Sequence, residues 1–281
     1  GATMACRQHA ARLALAVLSC AVAASRSTGV VVDGSAEAFQ ATQVDARKAN
    51  FFSSGFRFRL PPAVSGVIID IGLCDQILKP GPRQHVIAIE ASVRETVANN
   101  LPRLCELMGN CTFLLAAIGD GTDRLVQLWD SSTGGGPASI TAANPAFWPH
   151  DRSPSVVPLL PLSSVIDAIP QHVQLSFCKV DTNGNDVLVL RSAGDSIRRC
   201  REVRVEIATG GQAGPLNQHE TAVEWLRAKG FDMHEQTRVL NVYRGGKKGQ
   251  QYDLIFWKSG AQRARLRGTL RSDKLGLKRA E

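Results

Sequence analysis

The sequence predicts an α/β fold, a mostly parallel sheet with helices on both faces. Three observations favour it. Short apolar runs alternate with stretches of helical spacing, several of these runs end in an acidic residue, and the last two runs flank a Gly/Lys-rich turn. Alternating strands and helices are typical of a parallel sheet, and two runs joined by a turn are typical of a hairpin. We therefore expect one domain core whose sheet ends in an antiparallel hairpin.

The predicted strands are short runs rich in Val, Ile and Leu, which is the composition of strands buried on both faces. They are, in chain order, Val67–Asp70, His85–Glu90, Thr112–Ile118, Leu125–Trp129, Leu175–Val180, Glu202–Ile207, Phe231–Arg238 and Tyr252–Lys258. The predicted helices carry apolar residues three and four positions apart. They are Ser92–Leu107, Val165–Ile169, Val187–Ile197 and Glu220–Lys229. Gly, Ser and Pro dominate residues 130–155, which predicts a long loop there.

Residues 1–28 are predicted to be a leader. Arg7 and Arg12 precede the apolar run Leu13–Val22, and small residues that suit a cleavage site follow. This is the pattern of a secretory signal peptide, which would direct the protein into the secretory pathway or out of the cell. An organellar transit peptide, an uncleaved membrane anchor and an amphipathic first helix are the alternatives.

Residues 29–258 are predicted to form the domain, and residues 259–281 a basic tail. The domain begins with a lead-in segment anchored by four aromatic residues: Phe51, Phe52, Phe56 and Phe58. The chain carries a net charge of +8, but most of this excess lies from Lys258 onward. The body of the chain therefore lacks the charge typical of nucleic-acid-binding proteins. The tail is either a solvated end or a contact for an anionic partner such as a membrane surface, a polyanion or RNA.

The chain has seven cysteines. Two lie in the leader, and the other five show no CxxC spacing, so neither a structural zinc site nor a dense disulfide framework is expected. Cys105 and Cys111 are the nearest pair in sequence. Their spacing alone does not decide whether they form a disulfide.

Three predicted strands end in residues that suit a ligand site. Asp70 and Gly72 follow the first strand, Glu90 ends the second, and Lys179 and Asp181 lie at the end of a third. Ligands of open α/β sheets bind at the carboxyl ends of the strands. A glycine there lets the backbone approach a ligand, and an acid at the end of the second strand suits the two hydroxyls of a ribose. These residues predict a site for a nucleotide-like cofactor.

The segments Phe177–Gly194 and Val203–Ile207 closely resemble the signature of the FkbM-type S-adenosylmethionine-dependent methyltransferases. That family typically shows a Lys-Ile-Asp-Val-Glu-Gly-x-Glu-like run, then Val-Leu-x-Gly-Ala, then a strand ending in Glu. Five residues match these positions: Lys179, Asp181, Gly184, Asp186 and Glu206. Asn183 stands where the family usually has Glu. Asp186 also suits the first turn of a helix, where the helix dipole favours an acid.

Looser matches precede this signature. Val86–Ala91 resembles the family's ribose-binding strand, Ala116–Asp120 its adenine-side segment, and Leu160–Asp167 the short element before its Lys-x-Asp strand. The resemblance covers about residues 66–207. It implies a Rossmann-like class I methyltransferase fold, with a mostly parallel seven-stranded sheet, and S-adenosylmethionine as the cofactor.

The resemblance also implies which residues form the site. The expected cofactor contacts are Asp70, Gly72, Asp75, Glu90, Ala117, Asp120 and Asp181. The expected catalytic residues are Asp181, Lys179 and Glu206, with Asp181 as the base, because methyl transfer to a hydroxyl requires positioning and a proton acceptor. Alternatively, Lys179 and Glu206 form only an ion pair at the edge of the core. Asp181 and Glu206 would also suit a divalent metal, although nothing in the sequence indicates one.

The first loop departs from the family's Asp-x-Gly-x-x-x-Gly pattern, because Gln76 stands at the second glycine. Asp75 is expected to accept a hydrogen bond from the ammonium group of the cofactor.

The expected methyl acceptor is a hydroxyl on a sugar, a glycan or a secondary metabolite. Because Gln76 and Asn183 differ from the pattern, a non-catalytic methyltransferase-like binding module is the alternative. An RNA-modifying enzyme that uses the basic tail is a third hypothesis. His85 and His172 flank strands and are expected on the solvent side.

Overall fold

Two β-sheets and four α-helices form the part of the protein described by the structure. The computed structural model describes residues 42–46, 50–52, 55–73, 76–92, 95–128, 155–182, 184–208, 219–237, 240–244 and 247–259. The predicted leader and nearly all of the predicted basic tail lie outside these residues, so both stay predictions. No helix in the described ranges has the length and apolar character that crossing a bilayer requires.

The structure describes twelve strands and four α-helices. The strands are β1 (Thr42–Asp45), β2 (Gly66–Ile71), β3 (Gln84–Glu90), β4 (Cys111–Leu115), β5 (Ala117–Gly119), β6 (Arg124–Leu128), β7 (Ser155–Pro161), β8 (Gln174–Val180), β9 (Glu202–Ala208), β10 (Phe231–Gln236), β11 (Leu240–Arg244) and β12 (Lys247–Lys258). The helices are α1 (Glu95–Met108), α2 (Leu162–Ala168), α3 (Asp186–Ser192) and α4 (His219–Ala228), with a 3₁₀ turn at Ser196–Arg199.

The main sheet has the order β1-β4-β3-β2-β8-β9-β12-β10, and β11 pairs with β12. All pairs from β1 to β9 are parallel. The pairs that β12 forms with β9, β10 and β11 are antiparallel. The predicted α/β class, with a mostly parallel sheet and an antiparallel end, is therefore confirmed. Within the described residues this sheet has nine strands rather than seven, because β1 and β11 add to it.

A second, three-stranded sheet, with the order β5-β7-β6, was not predicted. The sequence predicted one strand over Thr112–Ile118, but the chain changes sheets at Ala116, whose N–H donates to the carbonyl of Glu90. The predicted fourth strand is β6, which belongs to this second sheet. Strand β7 was missed because it contains Pro158 and Pro161, residues that are depleted in strands.

Both faces of the main sheet are covered by helices. On one face, α1 buries Leu101 and Cys105 against Val86 and Phe113. On the other face, apolar residues of α2, α3 and α4 pack on the larger core that includes Val67 and Ile69 of β2. Adjacent residues of β2 thus point into different cores, which explains its unbroken apolar run.

The lead-in segment contributes an edge strand as well as a cover. Strand β1 pairs in parallel with β4. The rings of Phe51, Phe56 and Phe58 pack against one another, with centroids 4.2 to 5.7 Å apart. Phe52 was also expected to be an anchor, but its side chain is exposed.

Two disulfides link neighbouring elements. Cys105–Cys111 joins α1 to β4. Cys178–Cys200 joins β8 to the end of the 3₁₀ turn that precedes β9. Only the first pair was considered from the sequence. The second is separated by 22 residues, and it becomes visible only when β8 and β9 lie side by side.

Gly72 allows the close approach of two strand ends. It follows β2 with φ +77°, and a Cβ at this position would lie 1.6 Å from the carbonyl oxygen of Asp181, which follows β8. From the sequence we expect a glycine here so that the backbone can approach a ligand. In the structure, the first reason for the glycine is this close contact between two backbone segments.

We expect Gly72→Ala to destabilise the protein by about 3 kcal/mol or more, because a positive φ and a backbone clash combine. Gly230→Ala is a matched control, since Gly230 has φ +86° but no atom within 4 Å of its Cβ position. It should cost only about 1–2 kcal/mol. Denaturant unfolding of both variants measures the difference, and equal losses would contradict the role of the Asp181 contact.

Candidate active site

The candidate site lies at the carboxyl ends of four adjacent strands, β3, β2, β8 and β9. Asp70 and Gly72 belong to the end of β2, Lys179 and Asp181 to that of β8, and Glu206 lies near the end of β9. The topology therefore brings together residues that are more than 130 positions apart in the sequence.

Lys179 is the central contact of the site. Its ammonium lies 3.1 Å from Oδ2 of Asp181 and 3.5 Å from Oδ1 of Asp70. It also donates a hydrogen bond of 3.0 Å to the carbonyl of Gly72. One side chain thus joins β2, β8 and the loop between β2 and β3.

Burial and charge oppose each other in this cluster. Burial by itself lowers the pKa of Lys179, but the carboxylates of Asp70 and Asp181 outweigh it, so the pKa is raised. Burial raises the pKa of Asp70, and the charge of Lys179 pulls it back only in part. Lys179 therefore stays charged, and it is the cation that makes the burial of Asp70 tolerable.

The loop after β2 is held at three points. Lys179 holds the carbonyl of Gly72, Oε2 of Glu90 accepts from the N–H of Leu73 (2.9 Å), and Oδ2 of Asp70 accepts from the N–H of Leu78 (2.8 Å). Gln76 donates from its N–H to the carbonyl of Leu73 (3.0 Å). The side chain of Gln76 is exposed. Residues 72, 73, 76 and 78 of this loop are therefore held by hydrogen bonds, although Gln76 stands at the family's second glycine.

Glu90 ends β3 beside this loop. Its Oε1 accepts from the N–H of Ser92 (2.8 Å), while Oε2 accepts from Leu73. These two contacts tie the end of β3 to the loop after β2 and to the residues that follow β3. Glu90 thus fixes the rim of the site.

Asp186 shapes the turn that follows Asp181. It is fully buried in the first turn of α3, as expected, and accepts hydrogen bonds from the N–H and hydroxyl of Thr182 and from the N–H of Gly184. Burial raises its pKa to about 6. Asp186 therefore clamps the backbone beside Asp181.

Glu206 is buried and does not pair with Lys179, which binds Asp70 and Asp181, so the alternative of an ion pair between Lys179 and Glu206 is wrong. Instead Oε1 accepts a hydrogen bond from the side-chain amide of Gln251 on β12. Burial, followed by the nearby charge of Asp181, raises the pKa of Glu206 to about 8. Glu206 is consequently a neutral acid at pH 7.

The adenine-side residues lie on the second sheet. Ala117 is buried at the start of β5. Asp120 is exposed and engaged locally, with its carboxylate 2.6 Å from the guanidinium of Arg124 and 2.8 Å from the hydroxyl of Thr122. Slight burial raises the pKa of Asp120, but the hydrogen bonds from Arg124 and Thr122 lower it by more. The pKa of Asp120 is therefore lower than its ordinary value. Asp120 closes the turn between β5 and β6.

Two other predicted positions, Asp75 and Asn183, lie outside the described residues. His172 is exposed, as expected. His85 is buried, contrary to expectation, because its ring contacts Thr112 on β4 at 2.8 Å. Burial lowers the pKa of His85 to about 4, so this residue is a neutral part of the core.

The structure adds residues that the sequence did not reveal. Gln251 holds Glu206, and Thr182 is held by Asp186. Gln251 lies on a strand that is 45 residues from Glu206 in sequence, so no local pattern could identify it. In the described ranges, no group of three or more His, Cys, Asp or Glu side chains is arranged to hold a metal ion.

The fold and the strand-end cluster define an α/β protein with a candidate ligand site at the carboxyl edge of a parallel sheet. The family profile described as Methyltransferase FkbM domain matches residues 71–233, more than half of the chain. The chain belongs to the FkbM methyltransferase family. No curated protein gives a significant match to it.

We expect Lys179→Met to destabilise the protein by roughly 3 kcal/mol at pH 7, because it leaves Asp70 buried without a cation. The double variant Asp70→Asn, Lys179→Met should recover a large part of this loss. Lys229→Met is the control, since its partner Asp195 is mostly exposed, and it should cost much less. Denaturant unfolding of the four proteins measures these differences. A double variant that is no more stable than Lys179→Met would contradict the coupling.

Glu206 predicts a pH dependence of stability. Because its pKa is about 8 when folded and 4.5 in its ordinary state, its neutral form stabilises the fold fully below about pH 4.5, and this contribution is lost as the pH rises through about 8. Glu206→Gln cannot ionise. We expect the variant to gain stability relative to wild type between about pH 5 and pH 9, by on the order of 2 kcal/mol. Thermal unfolding at both pH values measures it, with the exposed Glu235→Gln as control. A difference independent of pH would contradict the assignment.

Proposed function

We propose that the protein is an S-adenosylmethionine-dependent methyltransferase that methylates a hydroxyl on a sugar, a glycan or a secondary metabolite. The observation that carries this proposal is the loop after β2. Its backbone is held by Lys179, Glu90 and Asp70 at the carboxyl edge of the sheet. The mostly parallel sheet with its antiparallel end also supports a class I methyltransferase fold.

The residues at this edge fit the proposed cofactor. Glu90, at the end of β3, would accept from the two ribose hydroxyls. Gly72 and the turned loop offer backbone groups to the methionine part, and Asp75 would accept from its ammonium group. Ala117 would border the adenine. Asp120 would join it there only if it kept its contact with Arg124.

When bound, the cofactor would supply a methyl group on a sulfonium, which needs an acceptor oxygen in line with it. Asp181 is the proposed base, because it lies beside the cofactor edge and is partly exposed. Lys179 holds Asp181 in place through its ion pair. Positioning of the acceptor and removal of its proton are the contributions of this chain.

We further propose that the protein works in the secretory pathway or outside the cell. The two disulfides, Cys105–Cys111 and Cys178–Cys200, support an oxidising compartment. The predicted leader at residues 1–28 agrees with this. The basic tail at residues 259–281 is proposed to contact an anionic surface.

A non-catalytic binding module is the second candidate, because Gln76 and Asn183 depart from the family pattern. Calorimetric titration of the full chain with S-adenosylmethionine and S-adenosylhomocysteine tests the primary proposal. We expect binding of both compounds. A lack of detectable heat up to millimolar ligand would reject the cofactor assignment and favour the module.

We expect Glu90→Ala to weaken binding of S-adenosylhomocysteine by about 2 kcal/mol, or roughly 30-fold, since hydrogen bonds from two hydroxyls to a carboxylate are lost. The control Glu235→Ala removes an exposed acid from β10 and should change nothing. Calorimetry gives the dissociation constants, and thermal unfolding verifies that the fold persists. A change below threefold would remove Glu90 from the cofactor site.

A further inference from the structure

Asp181 and Glu206 lie side by side on one face of the main sheet. Strands β8 and β9 are parallel, and their register pairs Lys179 with Arg204 and Val180 with Val205. The next step of this register brings Asp181 beside Glu206, and directly paired residues of neighbouring strands project to the same face. The charge of Asp181 raises the pKa of Glu206, which agrees with this proximity. Two carboxyl groups therefore meet at the proposed acceptor end of the site.

One oxygen of Glu206 has no partner. Oε1 accepts from Gln251, but Oε2 is buried and makes no hydrogen bond within the described part of the chain. The whole residue is only 5% exposed. Buried polar atoms are nearly always hydrogen-bonded, so an unpaired one at a strand end points to a ligand that completes it.

The groups that face Glu206 are mostly acidic. Asp181 lies at the end of β8, Asp186 on α3 and Asp253 on β12, and the charges of all three raise the pKa of Glu206. Arg204, which lies on β9 with Glu206, forms an ion pair with Asp253. Lys179 is likewise engaged with Asp70 and Asp181. With a pKa of about 8, Glu206 holds a proton at pH 7, and Oε2 then becomes a hydrogen-bond donor.

We propose that Glu206 donates a hydrogen bond from Oε2 to the acceptor, and that the site selects an uncharged, hydroxyl-bearing acceptor. This inference rests on the proposed methyltransferase function. A neutral acid beside a carboxylate suits a polyol, because one group donates to an oxygen while the other accepts from a hydroxyl. Within the described residues, the acceptor end of the site has four carboxyl groups besides Glu206 and only two cations, Lys179 and Arg204, so an excess of acids would disfavour an anionic acceptor.

The chemical step balances with these groups. The acceptor oxygen forms a bond to the methyl carbon as the carbon–sulfur bond breaks, and that electron pair stays on sulfur, which changes from a sulfonium to a neutral thioether. Asp181 takes the hydroxyl proton. Glu206 keeps its own proton throughout, so its role is to hold and orient the acceptor.

The test uses the full chain. Calorimetry with S-adenosylhomocysteine first establishes cofactor binding. Methyl transfer from methyl-labelled S-adenosylmethionine is then measured with methyl glucoside, methyl galactoside and methyl mannoside, and with their uronic acid counterparts. We expect transfer to at least one neutral glycoside and at least tenfold less to its uronic acid.

The variants test Glu206 itself. Glu206→Ala should lower kcat/KM by about 10- to 100-fold, and Glu206→Gln, which keeps a donor and an acceptor, should restore part of that loss. Wild-type kcat/KM should fall as the pH rises through about 8, and Glu206→Gln should lose this decline. Glu202→Gln, a buried acid earlier on β9, is the control that should keep the decline.

The outcomes separate the two proposals. Absence of S-adenosylhomocysteine binding would reject the proposed function itself. Binding without transfer to any neutral glycoside, or with preference for a uronic acid, would overturn the acceptor class while the cofactor assignment stands. Full activity in Glu206→Ala, or the wild-type pH decline in Glu206→Gln, would overturn the role of Glu206. If Glu206→Ala does not fold, the pH profiles of wild type and Glu206→Gln decide.

Discussion

The arrangement of the site depends on one buried cation. The ammonium of Lys179 lies between Asp70 and Asp181 and also binds the carbonyl of Gly72. The buried carboxylate of Asp70 would be costly without the cation, and the cation would be costly without the carboxylates. Because these groups come from two strands and a loop, the ion cluster fixes how the strand ends stand relative to one another. The positions of Asp70, Gly72 and Asp181 relative to one another therefore depend on this ion cluster.

The acids of the site serve first as acceptors for backbone N–H groups. Asp70 holds Leu78, Glu90 holds Leu73 and Ser92, and Asp186 holds Thr182 and Gly184. A chain that leaves a parallel strand exposes N–H groups that the sheet no longer pairs, and a nearby carboxylate satisfies them. An acid after a strand is therefore explained by the loop as well as by a ligand. Glu206 differs, since its free oxygen has no such backbone partner in the described ranges.

The site is electrostatically uneven. On the β2 side, Lys179 compensates the carboxylates, whereas on the β9 side Glu206 compensates by remaining protonated. The β2 and β9 sides of the site thus stabilise their buried acids in two different ways. The proposed cofactor carries a positive sulfonium, which would suit the carboxylates of the β2 side, and the proposed uncharged acceptor would suit the neutral acid.

The sequence by itself determined most strands of the main sheet, the acids at their ends and the family signature around Lys179 and Asp181, because apolar periodicity and short motifs are local properties. The tertiary structure decided which of these groups meet. It placed Lys179 with Asp70 rather than with Glu206, gave Glu206 its partner Gln251, and joined Cys178 to Cys200. It also moved β5, β6 and β7 into a separate sheet and buried His85. Each of these outcomes depends on strand order and register, which bring distant residues together and which no local pattern of side chains encodes.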